Sequence, residues 1–308
     1  MKNALKKHYI IIILFSLLSL FILLITTIKT KYCAYMPGCI SRVSNVVEID
    51  GLDSSSNYYS TSVYYYDKVS LFQKFLYDHL DTVTLYKKSG LPSEIESLQG
   101  EIEHNSAISS SIIAAYDLAN IDLDYKYIGT YVYYTDSKVL NVGDVVLGSN
   151  YEDSINNLKN KEIAILRNID GESKEMSITL NENDKVVLEY AYYEINNDNI
   201  KIYPSNNEGP SAGFMQSLKL YDDLVDKDYG TKYKIAGTGT MDEYGNVGAI
   251  GCVDLKIYTA MYNNCDIFFV PISNAELAGK TIEKLNTDMQ VVYISTLAEA
   301  VSFLEGLE

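Results

Sequence analysis

Gly209-Pro210-Ser211-Ala212-Gly213 opens a helix that reaches about Val225, and beyond it strand and helix patterns alternate to the C-terminus. Tyr233–Thr240 reads as a strand, Gly251–Asn263 as a helix, and Asp266–Val270 as a short buried strand ended by Pro271. Asn274–Leu285 has helical spacing, and Val291–Ile294 with Leu297–Leu307 adds a last strand and helix. Just upstream, Val186–Ile195 and Ile200–Tyr203 are strand-like. Strands that alternate with helices indicate an α/β unit, and residues 183–308 are expected to form one.

Toward the N-terminus, residues 122–182 read as a β-rich unit. Tyr131–Tyr134 is a strand candidate, followed by Leu-Asn-Val-Gly-Asp-Val-Val at 140–146 and a polar helix over Tyr151–Asn160. The strands Glu162–Arg167 and Glu175–Leu180 flank Asp170-Gly171, and an Asp-Gly turn between strands favours a hairpin. The Val-Gly-Asp-Val-Val segment and the helix–hairpin ending resemble a short PDZ domain. That resemblance implies a peptide added along a sheet edge, with Tyr127-Ile128-Gly129 as the candidate carboxylate loop. A β-rich spacer that binds nothing is the other reading of the same residues. Residues 32–121 form an N-terminal segment, with a linker turn at Tyr35–Gly38 and strand-like stretches at Val43–Ile49 and Tyr58–Tyr66. Helical spacing appears in Val69–Leu80 and Ser106–Leu118.

Residues 1–31 are expected to be a basic cytoplasmic tip and a transmembrane anchor. Tyr9 to Ile28 carries no charge, and at about 1.5 Å per residue it spans roughly 30 Å, the thickness of a hydrocarbon core. Lys2, Lys6 and Lys7 precede it and Lys29 and Lys31 follow, so the N-terminus should stay inside and the body face outward. A cleaved signal peptide would have a shorter apolar region and a small-x-small cleavage site, which Lys-Tyr-Cys-Ala-Tyr at 31–35 does not supply. The 308 residues carry a net charge of −16. That argues against nucleic acid as a partner, because phosphate binding needs a basic face. Cys33, Cys39, Cys252 and Cys265 permit disulfides in an outward-facing protein; Cys33 and Cys39 are close enough in sequence to bridge locally.

Chemistry concentrates at two places. Ser211 follows Gly-Pro at the mouth of a helix, where backbone amides can stabilise a developing oxyanion; a helix N-cap is the ordinary use of such a serine. In Gly251–Asn263 the apolar stripe is Val253, Ile257, Ala260 and Met261, and Lys256 falls on it. A lysine held on the buried side has its pKa pulled down and can take a proton from a serine hydroxyl; snorkelling to solvent is the alternative. The histidines are His8, His79 and His104, all outside the unit that holds Ser211. A Ser-His-Asp arrangement would need one of them folded back, and the lysine is the better base. No His-Glu-x-x-His or cysteine–histidine cluster suggests a metal.

Gly-Pro-Ser-Ala-Gly at 209–213 resembles the nucleophile motif of the Lon peptidase family, and so does Gly237-Thr-Gly-Thr-Met-Asp-Glu-Tyr-Gly-Asn-Val-Gly-Ala-Ile-Gly251 running on to Lys256. The whole chain resembles Lon-like, PDZ-containing membrane peptidases. This implies an α/β (α+β) Lon-type proteolytic domain, a small β-rich PDZ-like domain and one N-terminal transmembrane helix. It implies Ser211 as the acylating nucleophile, Lys256 as its general base and Thr238 as the residue that hydrogen-bonds and aims the lysine. Glu208, Gly209 and Pro210 lead into the nucleophile, and a backbone amide near Glu208 is expected to help form the oxyanion hole. Cys252 stands where the family usually has glycine. No Gly-x-x-x-x-Gly-Lys-[Ser/Thr] loop occurs, since Asn274 replaces the first glycine before Gly279-Lys280-Thr281. The expected enzyme is therefore an ATP-independent endopeptidase without a cofactor, acting on extracytoplasmic polypeptides. A homo-oligomer is expected by analogy with Lon rings. The rival readings are a non-catalytic PDZ-bearing membrane tether and a serine-lysine amidase.

Overall fold

The computed structural model describes residues 2–52, 57–88, 90–149, 158–205, 208–227 and 229–307. Helix α1 (Lys2–Thr27) comes first, then β1 (Tyr32–Arg42), β2 (Val47–Ile49) and β3 (Tyr58–Tyr66). A short helix α2 (Leu71–Tyr77), β4 (Thr84–Lys87) and the long helix α3 (Ser93–Leu118) follow. Next are β5 (Tyr125–Thr135), β6 (Val145–Leu147), β7 (Glu162–Ile169), β8 (Glu172–Thr179), β9 (Val186–Ile195) and β10 (Ile200–Ile202). The C-terminal part holds α4 (Gly213–Val225), β11 (Ile235–Gly237), β12 (Thr240–Met241), β13 (Val247–Gly248) and α5 (Val253–Tyr262). It ends with β14 (Ile267–Pro271), α6 (Ala275–Ile282), β15 (Gln290–Ile294) and α7 (Leu297–Glu305). The polar helix expected over Tyr151–Asn160 falls largely outside the described residues.

The principal sheet is six-stranded, in the order β15-β14-β11-β3-β1-β4. β11 runs parallel to both β14 and β3, while β1 pairs antiparallel with β3 and β4. Its middle is therefore shared between the first strands of the chain and the last. One face packs on α3, α4 and α7 through Tyr58, Ile112, Phe214, Leu218, Phe269 and Leu304. The other face packs on α5 and α6 through Val253, Ile257, Phe268, Val270 and Ala278. A sheet covered by helices on both faces needs apolar residues in consecutive positions, and Ile267–Pro271 is buried throughout. Residues 32–121, expected as a segment apart from 183–308, contribute three strands to this sheet and the helix that lies on α4.

Tyr35–Gly38, expected as a linker turn, is part of β1. Pro37 is tolerated because β4 pairs only with Tyr32–Tyr35, leaving β1 unpartnered on that side at the proline. A register shift follows between Pro37 and Ile40. All four cysteines are free, including Cys33 and Cys39.

A second sheet of five strands runs β8-β7-β6-β5-β9 and is antiparallel throughout. Val132, Leu140, Val146, Ile165 and Leu180 form its own small core. Arg167 clamps Asp144 through Nε at 2.8 Å and Nη2 at 2.6 Å. Two expectations change here. Val186–Ile195 joins this sheet beside β5, although the sequence pattern placed it after the boundary at 182/183. Tyr127-Ile128-Gly129 is not a carboxylate loop. These residues lie inside β5, the strand between β6 and β9, with Tyr127 opposite Tyr193 and Gly129 opposite both Leu147 and Tyr192. The approach is so close that a Cβ at Gly129 would sit 2.1 Å from the Val146 carbonyl oxygen. Backbone groups engaged in a ladder cannot also receive a peptide terminus.

Candidate active site

Ser211 sits in the turn that leads into α4. Gly209 has φ of +85°, a conformation that glycine adopts freely and other residues avoid. Pro210 then fixes the next φ. Four hydrogen bonds hold the turn in place. The Gly209 amide donates to the Gly100 carbonyl of α3 at 2.9 Å, and the Gly213 amide to the Pro210 carbonyl at 3.1 Å. The Ser211 carbonyl accepts from the Gly239 amide at 2.9 Å and from Thr238 Oγ1 at 3.0 Å. The Ser211 turn is thereby fastened to α3 below and to the loop leaving β11 beside it.

Lys256 approaches from α5. Its neighbours Val253, Leu255, Ile257 and Ala260 are fully buried, and the lysine itself is only 4% exposed. Nζ donates to Ser211 Oγ at 2.6 Å and to Thr238 Oγ1 at 3.1 Å. Thr238 is completely buried and bridges the amine and the Ser211 carbonyl. Burial pushes the Lys256 pKa down to about 8, against a smaller opposing influence from the Cys252 thiol. No carboxylate accompanies the amine in these contacts, so desolvation acts on it nearly unopposed. An amine with that pKa is roughly one-tenth neutral at pH 7, against a few parts in ten thousand for an ordinary lysine.

Three of the sequence-nominated residues, Ser211, Lys256 and Thr238, thus meet within hydrogen-bonding distance, with Gly209 and Pro210 shaping the turn. Glu208 is placed differently: its carboxylate accepts from Ser97 Oγ at 2.7 Å, facing α3. The Gly209 amide is occupied and Pro210 has none, so the next amides on the turn are those of Ser211 and Ala212. Neither donates in the described backbone hydrogen bonds. Tyr127, Ile128 and Gly129 belong to the five-stranded sheet and have no part in this constellation.

The packing of α3 against the Ser211 turn does not follow from the helix expected over Ser106–Leu118. Gly100 leaves room for Glu208, whose Cβ would lie 2.8 Å from a Cβ there. Ser111 Oγ donates to the Gly213 carbonyl at 2.8 Å. His104 is folded back against the turn and hydrogen-bonded to the Gly209 backbone, and its burial lowers the imidazole pKa. It supports the turn and does not reach Ser211 Oγ, whose partner is Lys256. The usable signal was spacing: Gly100, His104, Ala107 and Ser111 fall on one face of a helix, and small residues at that spacing allow a second backbone to come close.

Cys252 explains a departure noted in the sequence. It caps the start of α5 in the left-handed conformation, with φ 56° and ψ 38°, a conformation that favours glycine. Its partly buried thiol lies against Tyr86, and burial pushes the thiol pKa up.

Among curated proteins no match to the chain is found. Residues 161–304 match the family model of the Lon protease (S16) C-terminal proteolytic domain. The match begins within the five-stranded sheet, just before β7, and runs through Ser211, Thr238 and Lys256 into α7. The chain therefore carries a Lon-type proteolytic domain, which marks it as a serine peptidase.

Proposed function

We propose that the protein is a membrane-anchored, ATP-independent endopeptidase that cleaves extracytoplasmic polypeptides with Ser211 as nucleophile and Lys256 as general base. The observation that carries this reading is the 2.6 Å contact between a buried amine and a serine hydroxyl at a helix mouth. The neutral fraction of Lys256 accepts the hydroxyl proton as Ser211 Oγ attacks the scissile carbonyl. Thr238 holds the amine in line. The Ser211 and Ala212 amides, at the positive end of α4, face the charge that develops on the carbonyl oxygen. The resulting ammonium protonates the leaving amine, and water then hydrolyses the acyl-enzyme by the same route in reverse.

The anchor assignment rests on α1, which from His8 to Thr27 is long and apolar enough to cross a membrane and has no buried residue in that stretch. The excess of lysines before it supports an inside N-terminus. Residues 122–182 are proposed as a PDZ-like unit that receives extended peptide along a sheet edge, with β8 the outer strand of its sheet among the described residues. The absence of a phosphate-binding loop supports substrates that are already flexible or unfolded. Assembly into a homo-oligomer is proposed by analogy only.

The test is cleavage of unfolded polypeptides by the full-length protein in detergent or vesicles. Wild type is expected to label with a serine-reactive probe and to cleave without ATP, with kcat/KM rising about tenfold per pH unit below neutrality, half-maximal near pH 8 and levelling off above about pH 9. Ser211→Ala should lose labelling and cleavage while keeping its thermal transition. Undiminished cleavage by that variant would refute the assignment. A wild type that neither labels nor cleaves would favour the tether reading.

A further inference from the structure

Helix α2 has no buried residue. Leu71, Phe72, Phe75 and Leu76 are all exposed, Phe75 to 67%, and Leu80 just beyond is exposed as well. The helix is nonetheless fixed in place. Ser70 and Gln73 form a reciprocal cap at its start. The Leu71 amide donates to the Ile28 carbonyl at 3.1 Å and the Thr30 amide to the Val69 carbonyl at 2.8 Å. Its N-terminus is therefore fastened to the residues where the apolar run of α1 ends. Tyr64 and Tyr66, also exposed, stand at the end of β3 nearest this junction, where Tyr66 pairs with Ala34.

Charge adds a second, independent feature. Around the junction stand Lys29, Lys31, Lys68, Lys74, Lys87 and Lys88, against Asp67, Asp78, Asp81 and Glu96, in a chain whose net charge is −16. The polar side of α2 turns inward: Lys74 lies over the Tyr32 ring at 4.8 Å and pairs with Asp78 at 2.7 Å. An apolar helix face with a lysine collar, attached directly to the end of a hydrophobic span, has the chemistry of an element that lies in the headgroup layer. Exposed tyrosines beside it fit the same layer, where amphipathic rings are favoured.

We infer that α2, with Tyr64 and Tyr66, rests in the headgroup region of the leaflet from which α1 emerges, giving the protein a second membrane contact and fixing the tilt of its body. This rests on the reading of α1 as an anchor. The occupant is the bilayer, because the contact is continuous with that span: Ile28 and Thr30, at its end, are hydrogen-bonded to Leu71 and Val69 at the start of α2.

The chain contains no tryptophan, so single tryptophans report their own surroundings. Full-length Phe75→Trp, Leu76→Trp, Phe15→Trp and Ile202→Trp are reconstituted in vesicles of zwitterionic and anionic phospholipid with brominated acyl chains. Ile202, in β10, is exposed and lies beyond the end of β1 opposite the anchor. Emission from position 15 should be quenched most by deeply placed bromines. Emission from positions 75 and 76 should fall to about half or less with shallow bromines, and position 202 should be unaffected. Quenching at 15 but water-like, unquenched emission at 75 and 76 would overturn the interfacial helix and leave the anchor standing. Blue-shifted but unquenched emission at 75 and 76 would overturn it in favour of cover by a second copy. Loss of quenching at 15 itself would remove the anchor, and this inference with it.

Discussion

Lys256 combines two demands that conflict. Its burial makes it a better base at neutral pH and makes the folded state less stable while it is charged. The unfolded chain keeps the lysine proton up to about pH 10.5 and the folded chain only to about 8. Between those values the unfolded state binds more protons, so stability rises with pH, and below pH 8 the full cost is present. Lys256→Met is therefore expected to abolish cleavage and to raise stability at pH 7 by up to roughly 3 kcal/mol. Thermal melts at pH 7 and pH 10 check this: the gain should shrink at the higher pH, and an equal gain at both would remove desolvation as its cause. The position of this lysine was legible because helical spacing alone puts it on the apolar side of α5. Its partner Thr238 was legible only through the motif, since nothing in a Gly-Thr-Gly-Thr run says which hydroxyl turns inward. The carboxylate of Glu208 shows the limit of that approach, because its orientation is set by Ser97 and Gly100 on a helix far away in sequence.

The elements that build the site are short turns held by distant partners, and these the sequence describes poorly. The helix expected over Ser106–Leu118 begins at Ser93, because Gly100, His104 and the serines of α3 blur the apolar periodicity that marks a helix. Those same small side chains let α3 lie close against the Ser211 turn. The strand expected over Tyr233–Thr240 is divided into β11 and β12, because Gly239, with φ of +158°, turns the chain so that its amide meets the Ser211 carbonyl. Gly209 is the position at which this dependence is most easily tested. Gly209→Ala forces a side chain into the left-handed region, costing about 1–2 kcal/mol, and shifts the Pro210–Ser211 pair. We expect kcat/KM to fall about tenfold to a hundredfold, well beyond what the small loss of thermal stability would explain. A variant with wild-type kinetics would show that the turn tolerates another backbone path.

At the scale of the molecule, the boundaries suggested by composition do not follow the sheets. Alternating strands and helices in 183–308 suggested a self-sufficient α/β unit, but β11 is paired on one side by β3, which the chain delivers long before. Local patterns carry no record of pairings between distant segments, so this sharing was not legible. A fragment of residues 183–308 would expose one edge of β11 and the face of α4 that α3 covers. It is expected to lack a cooperative thermal transition, as circular dichroism would show; a cooperative melt would mean that the N-terminal strands are ornamental. The interleaving also bears on biosynthesis. Strands made first are completed by strands made last, and long-range pairings of this kind form late. A ribosome-bound chain thus has no working scissors, and the cutting edge is assembled only when almost the whole polypeptide has emerged.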